Sequence, residues 1–118
     1  MRYNDDVIVR RMWIVEWHTH AVEELMRLPK DEQAALGHAV EKLATLGPHL
    51  PYPHQSVVKG HRGLRELRPR GGRSPWRALY ERRASAFVIA AVAPEAAVDS
   101  RGFDRAIRLA RRRLEGSR

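Results

Sequence analysis

The residues of this chain best suited to chemistry crowd into one stretch, GLRELRPRGGRSPWRALYERR, residues 63–83. Arginine stands at 65, 68, 70, 73, 77, 82 and 83, against two acids, Glu66 and Glu81. Guanidinium groups are difficult to bury, yet Leu64, Leu67, Trp76, Leu79 and Tyr80 between them mark folded strand. A guanidinium is a planar fork of donors that matches phosphate oxygens two at a time and stacks on bases. The stretch therefore predicts contact with a ligand carrying many negative charges. A second group, Arg101, Arg105, Arg108, Arg111, Arg112 and Arg113, follows near the C-terminus. Such a run is usually a solvated helix face; against a phosphate-rich target it would add affinity without sequence preference.

The totals fit this reading. The chain has 118 residues and a formal charge of +8, and lysine occurs only at 30, 42 and 59. That length is close to the usual size of one domain with one real core. There is no cysteine, which excludes disulfides and thiolate metal sites. His18 and His20 lack a clear third ligand, and a closed metal site needs about four, so no metal or other cofactor is expected. The longest apolar run, residues 86–94, is too short to cross a bilayer. With no long apolar segment and no small-residue cleavage site around Val7-Ile8-Val9, the expectation is a cytoplasmic protein with no membrane partner.

The elements that must position the arginines can be read from periodicity. Aromatic and β-branched residues dominate Trp13 to Trp17, as a pleated, half-buried strand prefers. Thr19 is the expected cap of a helix carrying Val22, Leu25, Met26 and Leu28, stopped by Pro29. Asp31 offers the next cap, with Leu36, Ala39, Val40, Leu43 and Leu46 at helical spacing before Gly47-Pro48. The short link between them predicts a helical hairpin whose apolar stripe covers a sheet. Residues 47–63 hold three prolines and three glycines and read as a loop. Strands are predicted at about 64–69, 75–82 and 86–93, joined by turns short enough for antiparallel hairpins. Phe103, Ala106, Ile107, Ala110 and Leu114 predict a final amphipathic helix. The order β-α-α-β-β-β-α is that of an α+β domain over residues 12–118, with residues 1–11 as an N-terminal extension.

Several pieces in this order resemble a known family. They are W-I-V-E-W at 13–17, L-P-K-D-E-Q at 28–33, G-P-H-L-P-Y-P at 47–53, K-G-H-R-G-L-R-E-L-R-P at 59–69 and R-A-L-Y-E at 77–81. Together, from about Met12 to Leu114, they resemble the HigB-like, phage-derived branch of the RelE/ParE toxin superfamily. The resemblance implies a RelE-like fold and a toxin neutralised by a helix-turn-helix antitoxin encoded nearby. It further implies a metal-independent mRNA endonuclease acting on the ribosome, or gyrase inhibition as in ParE-type relatives. It also places the start of translation close to Met12. A third possibility is a phage-derived remnant that binds RNA or an antitoxin without catalysis. One departure from the family's ribonucleases is the segment A-P-E-A-A-V-D-S-R-G-F-D after the last strand, which has no lysine or histidine.

Metal-free RNA cleavage needs a base for the 2′-hydroxyl, cations for the crowded phosphate and an acid for the leaving 5′-oxygen. Arg68 and Arg77 are the expected cations. If they face each other across a hairpin, Glu66 and Leu79 lie on the same face. Arginine is a poor base, which leaves Glu66, His61 and Tyr80 as candidates. Each also has a bland alternative: a salt-bridge partner for Arg68, a surface histidine and a core ring. Lys59, Arg62, Arg65, Arg70, Arg73 and Arg82 would supply the surrounding RNA-binding surface.

Overall fold

The computed structural model describes residues 12–116; the extension expected at residues 1–11 lies outside them. Five strands form one sheet in the order β1-β5-β4-β3-β2. They are β1 (Ile14–Trp17), β2 (Gln55–Val57), β3 (Leu64–Leu67), β4 (Trp76–Arg83) and β5 (Ala86–Pro94). The helices are α1 (Thr19–Met26), α2 (Lys30–Leu46) and α3 (Ser100–Gly116). Strands β2 to β5 pair antiparallel to their neighbours, whereas β1 runs parallel to β5, with Ile14 opposite Ala86. Among the described residues no helix is long and apolar enough to cross a membrane.

The sheet is apolar on both faces, so it needs cover on both. Leu67, Ala78, Tyr80, Phe87 and Ile89 pack with Ala21, Leu28, Leu36, Ala39 and Leu43 of the α1–α2 side. Leu64, Leu79, Ala90, Ala91 and Ala93 pack with Phe103, Ala106, Ile107, Ala110 and Leu114 of α3. Successive strand side chains point to opposite faces, which is why Leu79 and its neighbours Ala78 and Tyr80 join different cores. Burial of each large α3 side chain stabilises this second core by about 1.5–3 kcal/mol. A bulge in β5 sets Leu79 opposite Ala91 and Tyr80 opposite Ile89, so Ala90 is the extra residue.

Four local expectations need correction. Asp31 does not cap α2: the helix starts at Lys30 after Pro29, and Asp31 lies inside its first turn. Residues 47–63 are not all loop: they contain a 3₁₀ turn at Gly47–His49 and the strand β2. The cap of α1 is His18 rather than Thr19, because His18 Nδ1 accepts the backbone N–H of His20 at 3.1 Å. Partial burial, then the charges of Arg113 and His20, lower the His18 pKa below the usual histidine value. On α1 the packed residues are Ala21 and Leu25, joined by Leu28 just beyond the helix, while Val22 and Met26 stay exposed. Two helical turns carry too little periodicity to fix which side faces the sheet.

Arginine also serves the architecture. Arg113 of α3 donates from Nη1 and Nη2 to Glu24 of α1 at 3.1 and 2.8 Å, and from Nη1 to the Ala90 carbonyl. Glu24 Oε1 in turn accepts the backbone N–H of Val92. Arg111 reaches Glu81 and the Arg62 carbonyl, and Arg83 reaches Glu81 and the Leu114 carbonyl. Helix α3 is therefore tied to the sheet by ions as well as by its apolar stripe.

Candidate functional site

Strands β2, β3 and β4 bring Ser56, Glu66 and Arg77 onto one face of the sheet. Ser56 stands opposite Glu66, and Glu66 stands opposite Leu79, so Arg77 lies two residues along the same face. Glu66 is the hub. Its Oε1 accepts Arg77 Nε at 3.1 Å, its Oε2 accepts Ser56 Oγ at 3.1 Å, and Arg68 Nη1 lies 3.8 Å from Oε2.

Arg77 is only 1% exposed, and its five N–H groups meet five acceptors. Besides Glu66, Nη1 donates to the Ser74 and Trp76 carbonyls at 2.6 and 2.9 Å. Nη2 donates to the Gly72 carbonyl at 3.3 Å and to Glu95 Oε2 at 2.7 Å. A guanidinium saturated and covered in this way has no donor left for a phosphate. Its work is to fix Glu66 and Glu95 on either side of it, which differs from the direct contact expected from sequence.

Arg68 is placed differently. It follows the end of β3, its side chain is 19% exposed, and its Nε donates to the Pro53 carbonyl at 3.0 Å. The guanidinium carbon sits 5.5 Å from the ring centre of Tyr52. Gly72 has a φ of 97°, which favours glycine, and a Cβ there would displace the end of Arg68 at Nη2. Arg68 also borders a groove of about 720 Å³ shared with Ala34, Ala35, His38, His54 and Arg70.

The other expected site residues scatter. Tyr80 is buried on the opposite face, and burial pushes its hydroxyl up to about 12, which removes it from proton transfer near neutral pH. His61, with Lys59 and Arg62, sits in the turn before Leu64, at the far end of β3 from Arg68. That strand separates His61 from the Glu66 hub by roughly 3.3 Å per residue. Arg65 donates to Gln55, and Arg82 lies over the Trp13 ring at 4.9 Å, both on the α2 side. Arg70 is anchored to Glu32 at 2.8 Å. The Glu32 carboxyl is held below its usual pKa, first by the Ser74 hydroxyl at 2.6 Å and then by Arg70. Arg73 is exposed beside His54 and Arg70. Among the described residues no group of three or more His, Asp or Glu is arranged for a metal.

Sequence reading missed Tyr52, His54 and Ser56, all in the stretch taken as loop. The signal available was the β-branched pair Val57-Val58, too short to stand out between prolines and glycines. In contrast, α3 leaves four arginines, 101, 105, 108 and 112, exposed and unpaired among the described residues. At 100° per residue these four fall within about 60° of one another, forming a ridge.

Solved structures share this architecture. An arginine-to-alanine double mutant of the E. coli toxin RelE in the free state superposes with a TM-score of 0.60 at 12% identity, covering 82% of this chain and 96% of that one. Isolated E. coli RelE gives 0.55 at 14% identity, covering 79% and 97%. The archaeal RelE–RelB complex from Pyrococcus horikoshii gives 0.53 at 20% identity, covering 70% and 94%. No curated protein sequence gives a significant match. Residues 23–115 match the family described as "Phage derived protein Gp49-like", so the chain belongs to the phage-derived Gp49-like family and presents it on a RelE fold.

Proposed function

We propose that the protein is the toxin of a toxin–antitoxin pair and cuts mRNA on the ribosome without a metal. The observation that carries this reading is the partly exposed Arg68 guanidinium beside the Glu66 carboxylate, 3.8 Å apart at the C-terminal end of β3. Arg68 binds the scissile phosphate and stabilises the charge that develops on it. Glu66 accepts the proton of the 2′-hydroxyl as that oxygen attacks phosphorus. The bond to the 5′-oxygen breaks, leaving a 2′,3′-cyclic phosphate, and His54 on the adjoining groove returns a proton to the 5′-oxygen. Arg77 and Ser56 act through Glu66 by fixing its orientation, so they are positioning residues. The α3 ridge, together with Lys59, Arg62 and Arg73, adds phosphate contacts without sequence preference.

The RelE fold and the Gp49-like family support the toxin reading, and the neighbouring RelE–RelB complex supports an antitoxin as partner. A helix-turn-helix protein encoded beside this gene is the partner of choice, acting in the cytoplasm where ribosomes and mRNA are found. Its acidic and apolar segments would cover the basic sheet face and the exposed Val22 and Met26 of α1.

A second reading has its own observation: Glu66 and Glu95 balance Arg68 and Arg77, so the hub carries no surplus positive charge. That balance suits a binding module of this fold that grips RNA without cutting it. Induced expression followed by mapping of mRNA 5′ ends separates the two. Growth arrest with cuts at discrete codon positions, lost in Glu66→Gln and Arg68→Ala, is the expected result. Arrest with intact mRNA and trapped gyrase would move the protein to the ParE type. Intact mRNA and gyrase would leave the binding module.

A further inference from the structure

Tyr52 is the most exposed large apolar side chain among the described residues, at 71%. It is not loose on its loop. Its ring sits by the Arg68 guanidinium, 5.5 Å from ring centre to guanidinium carbon. That guanidinium is itself held by the Pro53 carbonyl, with Nη2 lying in the space that a side chain on Gly72 would need. A cation held on one side, with the ring otherwise open to water, makes a rigid aromatic platform next to a phosphate-binding group. Proteins that hold single-stranded nucleic acid use this pairing, an aromatic face for the base and a guanidinium for the backbone.

We infer that Tyr52 is a stacking site for one unpaired nucleobase of single-stranded RNA, adjacent to the phosphate bound at Arg68. This rests on the reading of Arg68 as the phosphate contact but not on cleavage. Every base has a π face, so the site sets register along the strand and discriminates weakly among bases. Double-stranded RNA, whose bases are already stacked, is excluded from it.

The test measures binding of a 5′-labelled, unstructured RNA heptamer by fluorescence anisotropy, with wild type, Tyr52→Phe and Tyr52→Ala. A matching heptamer with abasic sugars at every internal position serves as the control. Tyr52→Ala is expected to weaken binding of the normal heptamer about five- to tenfold, at the low end for one stacked base. Tyr52→Phe should bind as wild type, and neither variant should change the abasic heptamer. Equal weakening on both heptamers would make Tyr52 a prop for Arg68 and overturn the inference. So would an unchanged affinity in Tyr52→Ala, or a wild type that binds neither heptamer. Mapping mRNA cuts in parallel keeps the two readings apart. Base-dependent loss without any cleavage keeps the platform and removes the nuclease, whereas cleavage with no base dependence does the reverse.

Discussion

Replacing Arg77 by alanine removes five N–H donors from a position that is 1% exposed and strands Glu66 and Glu95. Removing one member of a buried ion pair costs about 3–5 kcal/mol. The two carboxylates are 15% and 28% exposed and regain some water, which favours the lower end, about 3 kcal/mol. Against a total stability of about 5–15 kcal/mol that is a large share. For a domain of this size 1 kcal/mol moves Tm by about 4 °C, so Arg77→Ala should lower Tm by about 12 °C. Lysine at 77 keeps the charge but has three donors in place of five, so Arg77→Lys should lose about half as much. Thermal and urea unfolding of wild type, both variants, Glu66→Gln and the Arg77→Ala/Glu66→Gln pair give the coupling between the two groups. An Arg77→Ala Tm within about 3 °C of wild type, or a coupling below about 0.5 kcal/mol, would refute the account of Arg77 as the anchor of the site.

Other consequences can be measured on the same protein. Gly72→Ala must strain a φ of 97° and push on Arg68 Nη2, so RNA affinity should fall while circular dichroism stays native; wild-type affinity would show that Arg68 does not need this placement. The depressed Glu32 pKa stabilises the fold above the unfolded value near 4.5 and ceases to do so as pH falls through the folded value. Glu32→Gln should therefore be less stable than wild type at pH 7, with the gap closing as pH falls below the ordinary carboxylate range, and a gap independent of pH would count against the Ser74 and Arg70 contacts. On single-stranded RNA, Arg105→Gln and Arg108→Gln should each lower the slope of log affinity against log salt by about 0.7, and an unchanged slope would remove the α3 ridge from the interface.

What sequence could show here depended on how local the cause was. The α3 stripe is legible because its five apolar residues and its helix geometry belong to one segment, and all five are buried. The β4–β5 hairpin is legible for the same reason. Strand β2 was not, since its three residues earn their pairing from β3, ten residues on at Ser56 and Glu66. The parallel neighbour of β1 has no local signal at all. At the site, the density of arginine around Glu66 pointed to β3 and β4, which the structure pairs. It could not tell Arg68 from Arg77, since both follow the same strand-like pattern. Only the arrival of Glu95, 18 residues further on, shows that Arg77 is enclosed while Arg68 is left at the rim.

The parallel contact between β1 and β5 also governs the order in which the domain can be completed. The earliest strand of this sheet to be synthesised pairs with the last, and Trp13 finds its ring partner, 5.5 Å away, in Phe87. Until residues 86–94 have been synthesised, β1 has no ladder to join and α1 lacks the strand it chiefly rests on. Helix α3, made later still, then covers β5 and β4 from the other side. Closure of such long-range contacts is slow and leaves the nascent chain open to proteases. A frameshift or stop codon anywhere before β5 would thus yield no partly working fragment, because β1 and α1 would lack the strand they rest on.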